Sequence, residues 1–163
     1  MAAQQCTCQA GLRLRGTVLT MMGRIEPALK TLSQVDNHYD AHRHKQLASR
    51  FGQDVSIAGK CYRIGGLTLN GRLDEAASLA EQVLRDLEEV NHPHTAGYAL
   101  GHLACFLCSA KISPLGEEIA EKCISVSESE ETPLWSALGH ASLAMGMIHR
   151  DQAKDALPKL GTA

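Results

Sequence analysis

Cysteine and histidine are the residues of this chain with chemistry to offer. His102, Cys105 and Cys108 fall three apart in HLACFLC, and imidazole with thiolates is a zinc ligand set. Three-residue steps drift around a helix, however, so one chelating face is poor. A CxxC inside an apolar helix, with no strand beside it, is also a weak redox signal. Core packing, with cysteine acting as a small hydrophobe, is the expectation there. His38, His42 and His44, with Asp36 and Asp40, form the densest ligand-capable cluster. Such a loop could hold zinc or nickel, but nothing in its spacing enforces tetrahedral geometry. A solvated loop, with one histidine bonding across a junction, is the plainer expectation. His92 and His94 flank Pro93, where a capping role suffices. Ser125 to Glu131 is acidic and hydroxyl-rich and is expected to be a frayed, solvated helix end. No Ser/His/Asp, Cys/His or paired-carboxylate arrangement stands out, so no enzyme, cofactor or resident metal is expected.

These residues must be positioned by helices. The 163 residues are 44% apolar, 21% charged and only 4% aromatic, which fits one soluble domain packed through Ala and Leu. A net charge of -2 gives no electrostatic reason to expect nucleic acid or an anionic membrane. No apolar run approaches the ~20 residues of a membrane span, no export signal opens the chain, and reduced thiols in a cytoplasm are expected.

Helix-period patterns fill the sequence. The spacing predicts helices over about Ala3 to Met22, from Gly23 onward with Pro27 in the first turn, near Lys45 to Phe51, and over Val55 to Leu69 with Asp54 as its cap. On that last helix Ala58, Tyr62, Gly65 and Leu69 fall on one side. The next, to Val90, turns Ala76, Ala80, Val83, Leu87 and Val90 to one face. Further helices are expected after His92-Pro93, after Ser113-Pro114 with Ser113 as cap and Pro114 in the first turn, and after Thr132-Pro133 by the same device, with a last one near Gln152 to Leu157 cut short by Pro158. The polar stretch 36–44 is read as an inserted loop.

The helices repeat. LTMMGRIEPAL, from Leu19, aligns without a gap on LTLNGRLDEAA, from Leu67, 48 positions on. Two further shifts of 40 land on LCSAKISPLGE, from Leu107, and MIHRDQAKDAL, from Met147. The turn position is then Gly23, Gly71, Lys111 and Asp151; the small packing position is Ala28, Ala76, Gly116 and Ala156. A helical hairpin recurring about four times is the consequence.

A short residue at the second helix's start, after a tight turn, resembles the tetratricopeptide repeat, although 40 residues exceeds that motif's ~34. The degenerate tetratricopeptide-like repeats of MalT-type regulators are more similar. HRHKQLASRFGQD, GRLDEAASLAEQVL, NHPHTAGYAL and TPLWSALG resemble one family in particular. It is the repeat region C-terminal to the ATPase module in multidomain bacterial adenylate/guanylate cyclases. The resemblance covers nearly the whole chain and implies a non-catalytic signalling or scaffolding segment. No Gly-rich phosphate loop ending in Lys-Ser/Thr accompanies it.

The expected architecture is all-α, antiparallel hairpins stacked as a tetratricopeptide-like right-handed α-solenoid over residues 1–163. The expected function is protein or peptide binding. The alternative is a small-molecule or metal sensor built on the His38, His42 and His44 loop. By the family's register, Cys61, Gly65 and Thr68 line a concave groove, continued by Tyr98, Gly101, Cys105 and Cys108, then Leu138, Ala141, Met145 and Ile148. These side chains are small or apolar, so an apolar helix or extended segment is favoured over a charged chain terminus. The competing expectation is a groove closed by tight packing. Leu12, Val18, Leu138 and Ile148 are expected to be partly uncovered at terminal hairpins, so a homodimer is anticipated.

Overall fold

The computed structural model describes residues 2–36, 39, 48, 52–112 and 114–161. Among these the only regular structure is helical. The helices are α1 (Ala2–Met21), α2 (Ile25–Asp36), α3 (Val55–Leu69), α4 (Leu73–Val90), α5 (Pro93–Ser109), α6 (Leu115–Ser129), α7 (Pro133–His149) and α8 (Ala153–Leu160). No described helix is long and apolar enough to cross a membrane. The expected helix near Lys45 to Phe51 lies outside the described residues except for Ala48, which is helical and fully buried.

The repeat read from the sequence reappears as backbone geometry. Gly23, Gly71, Lys111 and Asp151 all take left-handed φ, at 72°, 73°, 60° and 61°. Each turn is closed by the same pair of hydrogen bonds. Gly71 N donates to Thr68 O at 3.1 Å and Arg72 N to Leu67 O at 2.9 Å. Asp151 N donates to Ile148 O at 3.1 Å and Gln152 N to Met147 O at 3.0 Å. This double closure satisfies carbonyls that a helix end leaves without partners. The small positions Ala28, Ala76 and Ala156 are buried to 1% exposure or less, and Gly116 is buried as well. A Cβ on Gly116 would sit 3.0 Å from the Cys108 backbone nitrogen, so the hairpin closes only around a small residue.

The chain forms two compact units, Met1–Thr95 and Ala96–Ala163. In the first, α1 packs on α2 and α3, α2 on α3, and α3 on α4. Leu32, Val35, Ile57, Ile64 and Val83 are each at most 1% exposed and fill the space between these helices. Each such side chain contributes roughly 1.5–3 kcal/mol by leaving water. Gly16 brings α1 and α2 close, since a Cβ there would lie 2.4 Å from Leu32 Cγ. Asp54 caps α3 as expected, its Oδ1 accepting from Ile57 N at 3.0 Å. His92 caps α5 with a ring nitrogen, Nδ1 accepting from Thr95 N at 3.2 Å.

In the second unit α6 packs on α7 and α7 on α8. Trp135 sits in a notch made by Gly97 and Gly101, where Cβ atoms would lie 2.7 Å and 3.2 Å from its ring. Two local expectations are corrected here. Thr132 makes no side-chain cap on α7; its hydroxyl instead donates back to Ser127 O at 3.3 Å. Helix α8 runs through Pro158 to Leu160. The one bond that Pro158 cannot make is to the carbonyl of Lys154, an exposed first-turn residue that water can serve. On α3 the side shared by Ala58, Tyr62, Gly65 and Leu69 is not buried throughout, and Leu69 is 68% exposed. The buried face there runs instead through Ala58, Cys61, Ile64 and Gly65.

Candidate functional site

The predicted groove residues divide between core and surface. In the first unit Cys61 is fully buried, while Thr68 is half-buried and donates from Oγ1 to Gly65 O at 2.8 Å. In the second, Tyr98, Gly101 and Leu138 come together around Trp135. The Tyr98 and Trp135 rings meet edge to face at 5.5 Å, and a Cβ on Gly101 would lie 3.1 Å from Leu138 Cδ2. Ser109 Oγ donates to Cys105 O at 2.6 Å and lies 3.2 Å from Met145 Sδ, which joins those two positions. Gly101 and Cys108 are buried; Cys105, Leu138 and Met145 are half-buried. The positions that keep solvent-facing area are thus Thr68, Cys105, Leu138, Ala141, Met145 and Ile148, the last 47% exposed.

His102 belongs to this aromatic cluster. Its ring centroid is 4.2 Å from that of Tyr98 and 5.8 Å from that of Trp135, and Nδ1–H donates to Tyr98 O at 2.8 Å. Burial pushes the Cys108 thiol up to about 11, with the Glu117 carboxylate and Cys105 adding to the shift. Burial also raises Cys61, Cys105 and Cys123, against a hydrogen bond from Ser109 at Cys105 and from Ser127 at Cys123. Neutral thiols are poor nucleophiles and poor ligands. Among the described residues no three His, Cys, Asp or Glu side chains converge as a metal site. His38, His42 and His44 lie outside the described residues.

Two features of the first unit go beyond the sequence reading, which placed only Val18 of the first among the uncovered apolar residues. One is a stripe on α1: Leu14, Val18 and Met21, spaced by four and three, are 54%, 54% and 74% exposed. The opposite face of the helix, with Gly16, Leu19 and Thr20, is buried. The other is a polar cavity of about 270 Å³ lined by residues from Tyr39 to Val90. Its wall is organised by Lys60, whose Nζ reaches Asp86 Oδ2 at 2.7 Å and Asp36 Oδ1 at 3.9 Å. Ser56 Oγ donates to Asp36 Oδ1 at 2.7 Å, and the Tyr39 hydroxyl donates to Asp54 Oδ2 at 2.5 Å. Burial, and then the Asp54 carboxylate, push the Tyr39 phenol far above its usual range. The visible signal is Lys60 itself, one of two charges, with Arg63, in the mostly apolar run of α3. Comparison with family models, with curated proteins and with solved structures gave no match.

Proposed function

We propose that this chain is a non-catalytic helical-repeat interaction module. Its hairpins stack as a right-handed, tetratricopeptide-like solenoid, and its α1 face pairs with a second copy of the chain. The equivalence of the four turns supports the repeat reading: position for position they share left-handed φ and the same closing hydrogen bonds. The observation that carries binding is the stripe of Leu14, Val18 and Met21 on α1. Apolar side chains aligned along one face and left in water mark an interaction surface more often than isolated ones do. The stripe runs from Leu14 to Met21, so it offers an apolar edge roughly 10 Å long. Two such edges crossing about a two-fold axis set apolar against apolar with no further element needed. By the resemblance to cyclase repeat regions, such pairing would serve signalling.

Sedimentation velocity tests this reading on the intact chain. The expected result is a dimer at high micromolar concentration. A Leu14→Glu/Val18→Glu variant should be monomeric with unchanged helical ellipticity, because both positions face water within the subunit. A wild-type chain that stays monomeric across the range, or a double variant that still dimerises, overturns the α1 assignment.

A further inference from the structure

The start of α5 depends on a histidine that can do its work only while neutral. Thr95 is fully buried, and its hydroxyl oxygen accepts from Asp54 N at 3.0 Å. The hydroxyl proton is left for the acceptor beside it, His92 Nδ1, at 2.9 Å. Thr95 N–H donates to the same nitrogen at 3.2 Å. Nδ1 has a single lone pair, and both donors meet on it. The neutral ring therefore carries its hydrogen on Nε2. A second proton has only Nδ1 to go to, where it would face two donors.

The helix itself adds to the conflict. His92 precedes Pro93, the first residue of α5, so it stands at the positive end of that helix, where a cation is disfavoured. The charged and titratable residues on the elements that meet here are Asp54 and Lys60 on the α3 side, Glu88 and Glu89 in the last turn of α4, and His94 on α5. The Asp54 carboxylate accepts from Ile57 N and the Tyr39 hydroxyl, and Lys60 is engaged by Asp86 and Asp36. Among the described residues no carboxylate forms an ion pair with the His92 ring. The ring is half-buried, so protons reach it from solvent.

We infer that His92 is a proton-operated catch: the neutral ring holds the α5 cap and fixes the Thr95 hydroxyl that accepts from Asp54, and proton uptake expels the ring and loosens both. With Nδ1 protonated, Thr95 N–H and a buried hydroxyl proton would be left without acceptors, so the ring swings out instead. The released ring takes up a proton in the ordinary imidazole range, about pH 6.5, whereas the engaged ring has no place for one. The catch is therefore fully closed above that range, and its contribution is lost as pH falls through it. It is separate from the α1 surface and does not depend on dimerisation.

Nitrogen spectra of the imidazoles and amide exchange, both on the intact chain, test this. At neutral pH His92 should carry its hydrogen on Nε2. Between about pH 7.5 and about pH 5.5 the opening equilibrium of the Thr95 and Asp54 amides should rise about tenfold, the factor by which proton uptake favours a free imidazole over that interval. His92→Asn keeps a capping oxygen and takes up no proton, so it should stay folded and lose this increment. A ring with its hydrogen on Nδ1 would overturn the inference, as would amide opening that ignores the interval or an undiminished increment in His92→Asn. Should that variant fail to fold, the tautomer and the amide opening of the wild-type chain decide.

Discussion

The two units reach the same hairpin by different means. In the first, the turn residues are Gly23 and Gly71, and the interior is aliphatic with a charged network of Asp36, Lys60 and Asp86 at one side. In the second, the hairpin-turn residues Lys111 and Asp151 take left-handed φ without being glycine, as Asn91 does at the end of α4 in the first unit, and two glycines, Gly97 and Gly101, form the notch that holds Trp135. Glycine meets a left-handed turn at no steric cost, whereas another L-residue pays about 1–2 kcal/mol. The closing hydrogen bonds are nonetheless the same. A turn is therefore specified by what it must satisfy, the orphan carbonyls of the preceding helix, and the residue type sets only how comfortably it does so.

That contrast can be pressed hardest at Trp135. It is 9% exposed and touches Gly97, Gly101 and Tyr98, so Trp135→Ala should cost about 3–5 kcal/mol through the void it leaves. Amide exchange should accelerate first between Gly97 and Met145. Uniform loss of protection along the chain would break the distinction between an aromatic and an aliphatic unit. A smaller effect is expected at Asp54. Asp54→Ala removes the α3 cap and leaves the Tyr39 hydroxyl without its acceptor, for about 2 kcal/mol in chemical denaturation. Asp54→Asn, which keeps a capping oxygen, should recover much of that; no recovery would mean the charge itself holds the network. The smallest effects belong to the turns and have opposite signs. Lys111→Gly should stabilise by about 0.5–1 kcal/mol, and Gly71→Ala should destabilise by about 1 kcal/mol. Equal signs in thermal unfolding would show that the left-handed turns of the second unit are unstrained.

Much of this was legible because hairpin turns are local. Four aligned segments located all four left-handed positions, including the two without glycine, from the small residue five places on. Asp54 as a cap and the extent of α3 were legible for the same reason. What escaped was lateral. Cys61 was assigned to a groove and is core, because a helix packed on several neighbours buries more than one stripe. The Lys60 network joins residues from Asp36 to Asp86, and no local spacing relates them. Capping at α5 falls at the expected place, whereas Thr132 Oγ1 accepts no N–H of α7 and its hydroxyl donates to Ser127 O, on the helix behind it.

One hydrogen bond sets an order of events. Asp54 N donates to Thr95 Oγ1 at 3.0 Å, tying the start of α3 to the start of α5 across 41 positions. Closing a loop of that length costs about 3 kcal/mol of chain entropy, against roughly 1 kcal/mol for a four-residue turn. The hairpin of α3 and α4 therefore forms early and repeatedly, on the timescale of helix growth, before this tie can hold. The tie is a latch rather than a nucleus. Removing it with Thr95→Val should accelerate unfolding and leave the folding rate nearly unchanged, whereas a slowed folding limb in the chevron would place Thr95 in the transition state. A latch of this kind governs how long the start of α3 stays held against the start of α5.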